Sequence, residues 1–596
     1  MTIAPLCILV PIAGATALAL ASPFTSRRVG GGPALACAVA TLALCVALLG
    51  QASDGVVVWL GNWRPVGDVA IGIALAVDPL GAGFAVFSAA LGVTALMLAA
   101  RLIVVDDLLF DALALVFLAA MIGFCLSGDL FNLFVFLELM GVCAYALVGY
   151  EIGQRAPLEG SLTFAVTNTM GGILLLFGIG LLYGETGALN LADMGRALAG
   201  HEPDALLLVA FALVTAGFLV KAAAVPFHLW TADAYAVAPT PICILLAGAF
   251  AELGLYGFAR VYWAVFDPAL HPQLAELRAI LVAVGAITAV VGAVMCATQH
   301  HLKRMLAFAT IAHVGLFLIG LALLTPDGVA GVALWVVGDG LARAALFACA
   351  GILQHRYDAV EEVALHGRAR GMWPVGVLMG LAALAVAALP PFGPFFGRAV
   401  VEDAALALGY DWVPLLMLVV AALVAGTLLR ATLRIFAGWG RPAPSEAGEE
   451  QETEREAGDL PAATSPLLWV PAAALVAAAL VWGLAPGLLD DAGRAAAAFV
   501  DGAGYREAVL AGAALQPPPL ELHGPGVTAY LYAAGSLVGA AVVALLPLRR
   551  VPPAPAVGRR LLRGLRALHS GHVGDYAAWT VVGTAALAAS FTLILG

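Results

Sequence analysis

Charge is scarce in this chain. Asp, Glu, Lys and Arg make up 11% of its 596 residues, where a soluble protein carries about 25%. With 62% of residues hydrophobic, that scarcity excludes a string of soluble domains. Lysine is scarcer still, at two residues, Lys221 and Lys303, against twenty-six arginines. Paired cysteines are missing. Cys7, Cys37, Cys45, Cys125, Cys143, Cys243, Cys296 and Cys349 stand singly in apolar segments, with no CxxC and no CxxCH. Nothing therefore signals an iron–sulfur, zinc or haem site. There is no Walker loop and no dinucleotide fingerprint. No cofactor is expected on this chain, and redox chemistry or nucleotide hydrolysis falls to a partner. No feature points to nucleic acid. The net charge of −11 comes largely from one loop and says little about partners.

What the chain has in abundance is long apolar runs. Stretches of about 18–25 residues recur from end to end, each able to cross a bilayer core of roughly 30 Å. The predicted fold is all-α and polytopic, with about sixteen spans at 3–21, 33–50, 78–100, 108–127, 129–150, 162–184, 204–238, 241–263, 277–297, 304–324, 328–353, 373–408, 410–437, 467–488, 527–547 and 576–595. Residues 1–21 lack the basic start of a signal peptide, and further spans follow directly, so they read as a retained first helix. With the N-terminus outside, nineteen Lys and Arg residues fall in cytoplasmic loops. Only Arg64, Arg196, Arg278, Arg494 and Arg506 lie in outer ones. The positive-inside rule thus predicts an inner (plasma) membrane protein with both termini on the outer side.

Two of these spans are too long for one straight crossing. The seventh holds Pro226 and the twelfth holds Pro390 and Pro391. Proline removes a backbone donor and clashes with the preceding turn, so both helices are expected to break. Broken helices five spans apart predict two related five-helix units, the second inverted. Such repeats mark transport sites. The expected organisation is helices 1–3 in residues 1–107, one unit in 108–263, its inverted relative in 277–437, an acidic cytoplasmic loop in 438–466, and helices 14–16 in 467–596. Residues 442–466 are acidic and proline-bearing, a composition that favours disorder. Residues 552–570 mix arginines with leucines, as an amphipathic helix does on anionic lipid headgroups.

Ionisable side chains fall where they are costly. Glu138, Lys221, Glu252 and the Asp339/Arg343 pair lie near span centres, His313 lies in span 10, and Arg398 follows the break in span 12. A central charge costs at least about 2.5–3.5 kcal/mol on insertion scales. Such residues usually face protein or water and often mark an ion path, although a structural ion pair locking helices is the simpler explanation for any one of them. Lys221 is the sharpest case. Lysine can lose its proton when desolvated and arginine effectively cannot, and a proton carrier must alternate between the two states. A Glu138–Lys221 pair of variable separation would release and recapture a proton. His228, after the break in span 7, and His313 titrate near neutrality and suit a relay. His300 and His301 are placed in a cytoplasmic loop without a role.

At these residues a family resemblance emerges. SGDLFNLFVFLELMGVCAYALVGYE, GFLVKAAAVPFHLWTADAYAVAPTPICILLAGAFAELGLYGFAR, QHHLKRMLAFATIAHVG, DGLARAALFACAG and LPPFGPFFGRAVV resemble helices 5, 7–8, 10, 11 and 12 of the antiporter-like subunits. Those subunits belong to Mrp-type cation/proton antiporters, respiratory complex I and related hydrogenases. The likeness spans residues 78–437. It puts Glu138 on the family's essential glutamate, Lys221 on its buried lysine and Pro226 on its helix break. It implies other membrane subunits as partners, and protons as cargo, moved against Na⁺ or another monovalent cation or coupled to electron transfer elsewhere.

The chain departs from the pattern at three places. Glu252 and Arg343 stand where the family usually has lysine, and Arg398 where it has lysine or glutamate. The first unit keeps a titratable set, in which Glu138 modulates Lys221 and Glu252 passes the proton onward. The second presents two guanidiniums, with Arg343 placed to pair with Asp339 one turn earlier. Three readings follow: a proton-translocating subunit of a larger complex, a membrane scaffold that has lost transport, and a stand-alone secondary transporter.

Overall fold

The computed structural model describes residues 3–25, 27–66, 69–103, 108–151, 153–440, 468–548, 564–565 and 568–596. The predicted acidic loop and most of the predicted amphipathic segment lie outside the described residues. Long apolar runs form helices because a backbone without water must satisfy its own polar groups. In chain order these are α1 (Ala4–Ala21), α2 (Arg27–Leu49), α3 (Pro79–Leu102), α4 (Leu109–Leu126), α5 (Leu130–Val148) and α6 (Arg155–Thr186). A short α7 (Leu191–Ala197) precedes α8 (Ala205–Ala222) and α9 (Leu229–Val237). Next come α10 (Thr240–Leu245), α11 (Ala251–Val261), α12 (Asp267–Leu270), α13 (Leu274–Ala297), α14 (Leu302–Ala322) and α15 (Pro326–Tyr357). The remainder are α16 (Trp373–Val386), α17 (Gly393–Ala407), α18 (Val413–Thr432), α19 (Trp469–Leu484), α20 (Leu488–Val500), α21 (Gly502–Ala511), α22 (Val527–Leu545) and α23 (Val573–Ile594).

Starts are set by short acceptors. Asp78, Asp129 and Asp204 each accept a hydrogen bond from the backbone N–H three residues on, at 2.8 Å, opening α3, α5 and α8. Each satisfies a donor that the first turn leaves free. Helices α14 and α15 form the centre of the bundle and are buried almost throughout, whereas α1, α2, α22 and α23 are peripheral.

One expectation needs correction. The fold is nearly but not wholly helical. Strands β1 (Val56–Trp59) and β2 (Ala74–Val77) pair antiparallel between α2 and α3, Val56 opposite Val77. VVVW is a β-branched run too short to span a membrane, and it suits a strand. Among the described residues, thirteen helices are long and apolar enough to cross a membrane, or fourteen if α19 and α20, bent by 86°, are one span. Sixteen were expected. From Thr240 to Ala297 helical segments follow one another without a gap, through π-helical turns at Leu246–Phe250 and Tyr262–Phe266 and a 3-10 turn at His271–Gln273, so the predicted spans 241–263 and 277–297 count once. The predicted span at 373–408 is broken, as expected, into α16 and α17, and neither half counts alone.

The two proline breaks are present, and each begins before its proline. Helix α8 ends at Ala223, whose φ of +59° is left-handed, and α9 starts at Leu229. Helix α16 ends before Ala388, at φ +53°, and α17 starts at Gly393. Freed backbone groups at the first break find partners. Trp230 Nε1 donates to the Val220 carbonyl at 3.1 Å, and the Val225 N–H donates to Thr288 Oγ1 on α13 at 3.0 Å.

Candidate functional site

Lys221 sits in the last turn of α8, immediately before the break, and is 1% exposed. Its Nζ has no hydrogen-bond partner and lies 5.0 Å from the centroid of the Phe250 ring. Glu138, half-buried on α5, lies within electrostatic reach, and its Oε1 is also without a partner. The two therefore do not close a salt bridge in this conformation. Small residues make the room. A Cβ on Gly172 of α6 would fall 2.1 Å from Glu138 Oε1, and one on Gly141 of α5 would fall 3.0 Å from Lys221 Nζ.

A second group lies at the bundle centre. Arg343 on α15 donates from Nε to Asp339 Oδ2 at 2.6 Å and from Nη2 to Glu252 Oε1 on α11. Asp339 Oδ1 lies 2.7 Å from His313 Nδ1 on α14. All four side chains are 0–1% exposed. Glu252 Oε2, Arg343 Nη1 and His313 Nε2 have no partner. Two carboxylates thus bracket one guanidinium, with an imidazole at one end. A cavity of about 20 Å³ reaches Glu252 beside Tyr256 and Phe499, room for about one water.

A third group holds Arg398 on α17. Its Nε donates to Glu402 Oε1 at 2.7 Å, and its Nη1 donates to Ser536 Oγ on α22 at 3.0 Å. His228 lies apart from all three, buried at the head of α9 with no side-chain hydrogen-bond partner. Its ring meets that of His569, with centroids 5.1 Å apart. Among the described residues no set of His, Cys, Asp and Glu side chains is arranged to hold a metal ion.

Residues 127–425, which carry all of these predicted residues, match the transmembrane family described as NADH:quinone oxidoreductase/Mrp antiporter. The chain belongs to this family. It is 30% identical over 439 residues to NADH-quinone oxidoreductase subunit N of Desulforudis audaxviator (strain MP104C), covering 72% of this chain and 84% of that protein. It is 28% identical to a Na(+)/H(+) antiporter subunit of Bacillus subtilis (strain 168), over 66% of this chain and 76% of that one. A chain in the structure of the Mrp complex from Dietzia sp. DQ12-45-1b superposes with a TM-score of 0.73 at 26% identity, over 85% of this chain and 99% of that chain.

Within this family frame, the structure brings Glu252, His313, Asp339 and Arg343 into one connected group. It sets Glu138 beside Lys221 and leaves Arg398 and His228 in separate surroundings. Sequence reasoning missed several participants. Glu402 follows Arg398 by one helical turn and was readable as an i,i+4 partner. Ser536 is 138 residues from Arg398, and Asp78 is 182 from the buried Arg260 it binds, so neither contact leaves a local signal. His300 and His301 were given no role, yet His300 Nδ1 lies 2.6 Å from Glu362 Oε1 and His301 caps α14.

Proposed function

We propose that this chain is a proton-translocating subunit of a multi-subunit membrane complex, engaged in cation/proton antiport or driven by redox chemistry on partner subunits. One observation carries the reading: Lys221 is a fully buried lysine with no hydrogen-bond partner, facing an equally unpaired Glu138 oxygen. A buried ammonium left unpaired is costly, so the arrangement favours a group that gains and loses its proton. When Glu138 approaches, the charged form of Lys221 is favoured. When it withdraws, the neutral form is favoured and the proton leaves.

The central group constrains where that proton goes. Arg343 cannot release a proton, so it acts as a fixed charge. With both carboxylates ionised, Glu252, Asp339 and Arg343 carry one excess negative charge, which an added proton balances. Glu252 and His313 are the carriers of this group, Asp339 positions His313, and Arg343 holds both carboxylates. Arg398, closed against Glu402 and Ser536, is an anchor of the second unit. The same reading keeps the two five-helix units at 108–263 and 277–437, an inner (plasma) membrane location, and both termini outside.

The test replaces Lys221 with alanine in the assembled complex, reconstituted in proteoliposomes. Proton translocation is expected to be lost while subunit composition is unchanged. Full coupling in Lys221→Ala would overturn the reading and leave a structural scaffold. Transport by the purified single chain would instead identify a stand-alone transporter.

A further inference from the structure

Lys221 lies deep in the bundle and needs a route to an aqueous face. After the break between α8 and α9, Asp233 of α9 lies 3.7 Å from Arg304 and accepts a hydrogen bond from Tyr576 of α23, on the side that the arginine distribution assigns to the cytoplasm. His228 stands at the end of that break, buried, with no side-chain hydrogen-bond partner. Against it lies His569, half-buried in the stretch that leads into α23. His569 Nδ1 donates to the Leu565 carbonyl at 3.1 Å. A carbonyl only accepts, which fixes the tautomer and leaves Nε2 as the basic nitrogen. Nε2 has no partner.

The C-terminal stretch is fastened to this break. Tyr576 Oη donates to Asp233 Oδ2 on α9 at 2.8 Å. A Cβ on Gly583 of α23 would fall 2.5 Å from Pro226 Cγ, so α23 lies directly on the turn. Further along, Phe591 packs on Phe211 of α8 with centroids 4.9 Å apart. The groups facing His569 are His228 at the head of α9, Asp233 on α9, and Arg304 and Phe308 on α14. Burial holds the His569 pKa below the ordinary histidine range. The hydrogen bond to the Leu565 carbonyl and the charge of Asp233 oppose that shift, and Arg304 reinforces it.

We propose that the C-terminal segment completes the proton path: His569 exchanges protons between water and His228, and the Tyr576–Asp233 contact with α23 holds it in place. Nε2 is itself shielded in this conformation. A water admitted beside the half-buried ring gives it a proton and leaves hydroxide to the solvent, and the imidazolium passes that proton to a ring nitrogen of His228. His569 returns to neutral and His228 hands the proton on toward Lys221. The reverse order delivers a proton to the same face. This inference rests on the proton-translocating reading of Lys221.

The experiment compares His569→Ala, His569→Gln, Tyr576→Phe and Lys221→Ala in the intact reconstituted complex, across pH 6–9 (about the working range of a histidine). His569→Ala is expected to lower translocation about tenfold or more, most at high pH, where protons in water are scarcest. Added imidazole is expected to restore it. His569→Gln keeps a donor for the Leu565 carbonyl but cannot titrate, and is expected to assemble and fail alike. Tyr576→Phe is expected to show a smaller loss. A wild-type rate and pH profile in His569→Gln would overturn the proposal, as would a loss in His569→Ala that imidazole does not relieve. If Lys221→Ala is inactive and His569→Gln is normal, only this inference fails. If Lys221→Ala translocates normally, the underlying reading fails and takes this one with it.

Discussion

The space around Glu138 is set by one missing methyl group. Gly172 faces its carboxylate so closely that a Cβ would meet Oε1 at 2.1 Å and Cδ at 2.7 Å. Because Glu138 is flexible, Gly172→Ala is expected to fold. Alanine even favours a helix by roughly 1 kcal/mol over glycine. The carboxylate, however, must swing to a new position relative to Lys221. Translocation is expected to fall on the order of tenfold, since small misplacements of reacting groups are costly, with assembly unchanged. A wild-type proton flux in Gly172→Ala would mean that the Glu138–Lys221 separation does not set the rate. Lys221→Arg probes the other partner. It keeps a positive charge that cannot be released, and is expected to be as inactive as alanine in the same flux assay. The importance of Lys221 was readable from scarcity alone, because one of two lysines lies in an apolar run beside a proline. The bond between Arg343 and Glu252 was not, because 91 residues separate them and no periodicity connects α11 to α15.

Between helices, a cluster ties the connection from α15 to α16 onto its neighbours. Glu362 is fully buried there. It meets His300 at 2.6 Å, Arg434 at 2.8 Å and Arg430 at 3.3 Å. Arg430 also donates to the carbonyls of Ala297 and Gln299, so α13, α18 and the connection share one knot. Burial alone would raise the Glu362 pKa, but the His300 hydrogen bond and the charges of Arg430 and Arg434 outweigh it, and the net shift is downward. A carboxyl whose folded pKa is depressed contributes stability above its unfolded value of about 4.3, and loses it as pH falls through the folded value. Glu362→Gln is therefore expected to cost about 3 kcal/mol near neutral pH, as removing one partner of a buried pair does. Its deficit is expected to shrink as pH falls below about 4.3 and to vanish only once pH is below the depressed folded value. Thermal unfolding of detergent-solubilised wild type and variant, from pH 7 to 3, checks this; a deficit independent of pH would place the effect outside the ion pairs. At this scale the helices themselves were largely legible, because bilayer-length apolar runs and prolines speak locally. Two features were hidden. The helical segments between Thr240 and Ala297 run on through π and 3-10 turns where hydropathy marks a loop, and the β1–β2 hairpin is settled by pairing between strands fifteen or more residues apart.

Across the whole molecule, exposure of apolar side chains is general and by itself separates no surface from lipid. A charge on such a surface does. On α5 the exposed residues Phe131, Val135 and Val142 recur at helical spacing, and Glu138 falls on the same stripe, half-buried. A carboxylate next to hydrocarbon is costly, and α6 covers it only in part through Gly172. Its remaining side is best satisfied by protein. The relatives are by name subunits of larger assemblies, so the expected cover is a neighbouring subunit lying along α5. By contrast, the exposed face of α22, with Leu531 and Val538, carries no charged side chain and has no such need. A thiol reagent dissolved in the bilayer distinguishes the two. In the intact complex, Val538→Cys is expected to react and Val142→Cys to be protected. After dissociation of the complex, both are expected to react. A bifunctional reagent is then expected to link Val142→Cys to the neighbour. Equal labelling of both cysteines in the intact complex would place Glu138 at lipid, and the movement of Glu138 relative to Lys221 would have to originate within this chain.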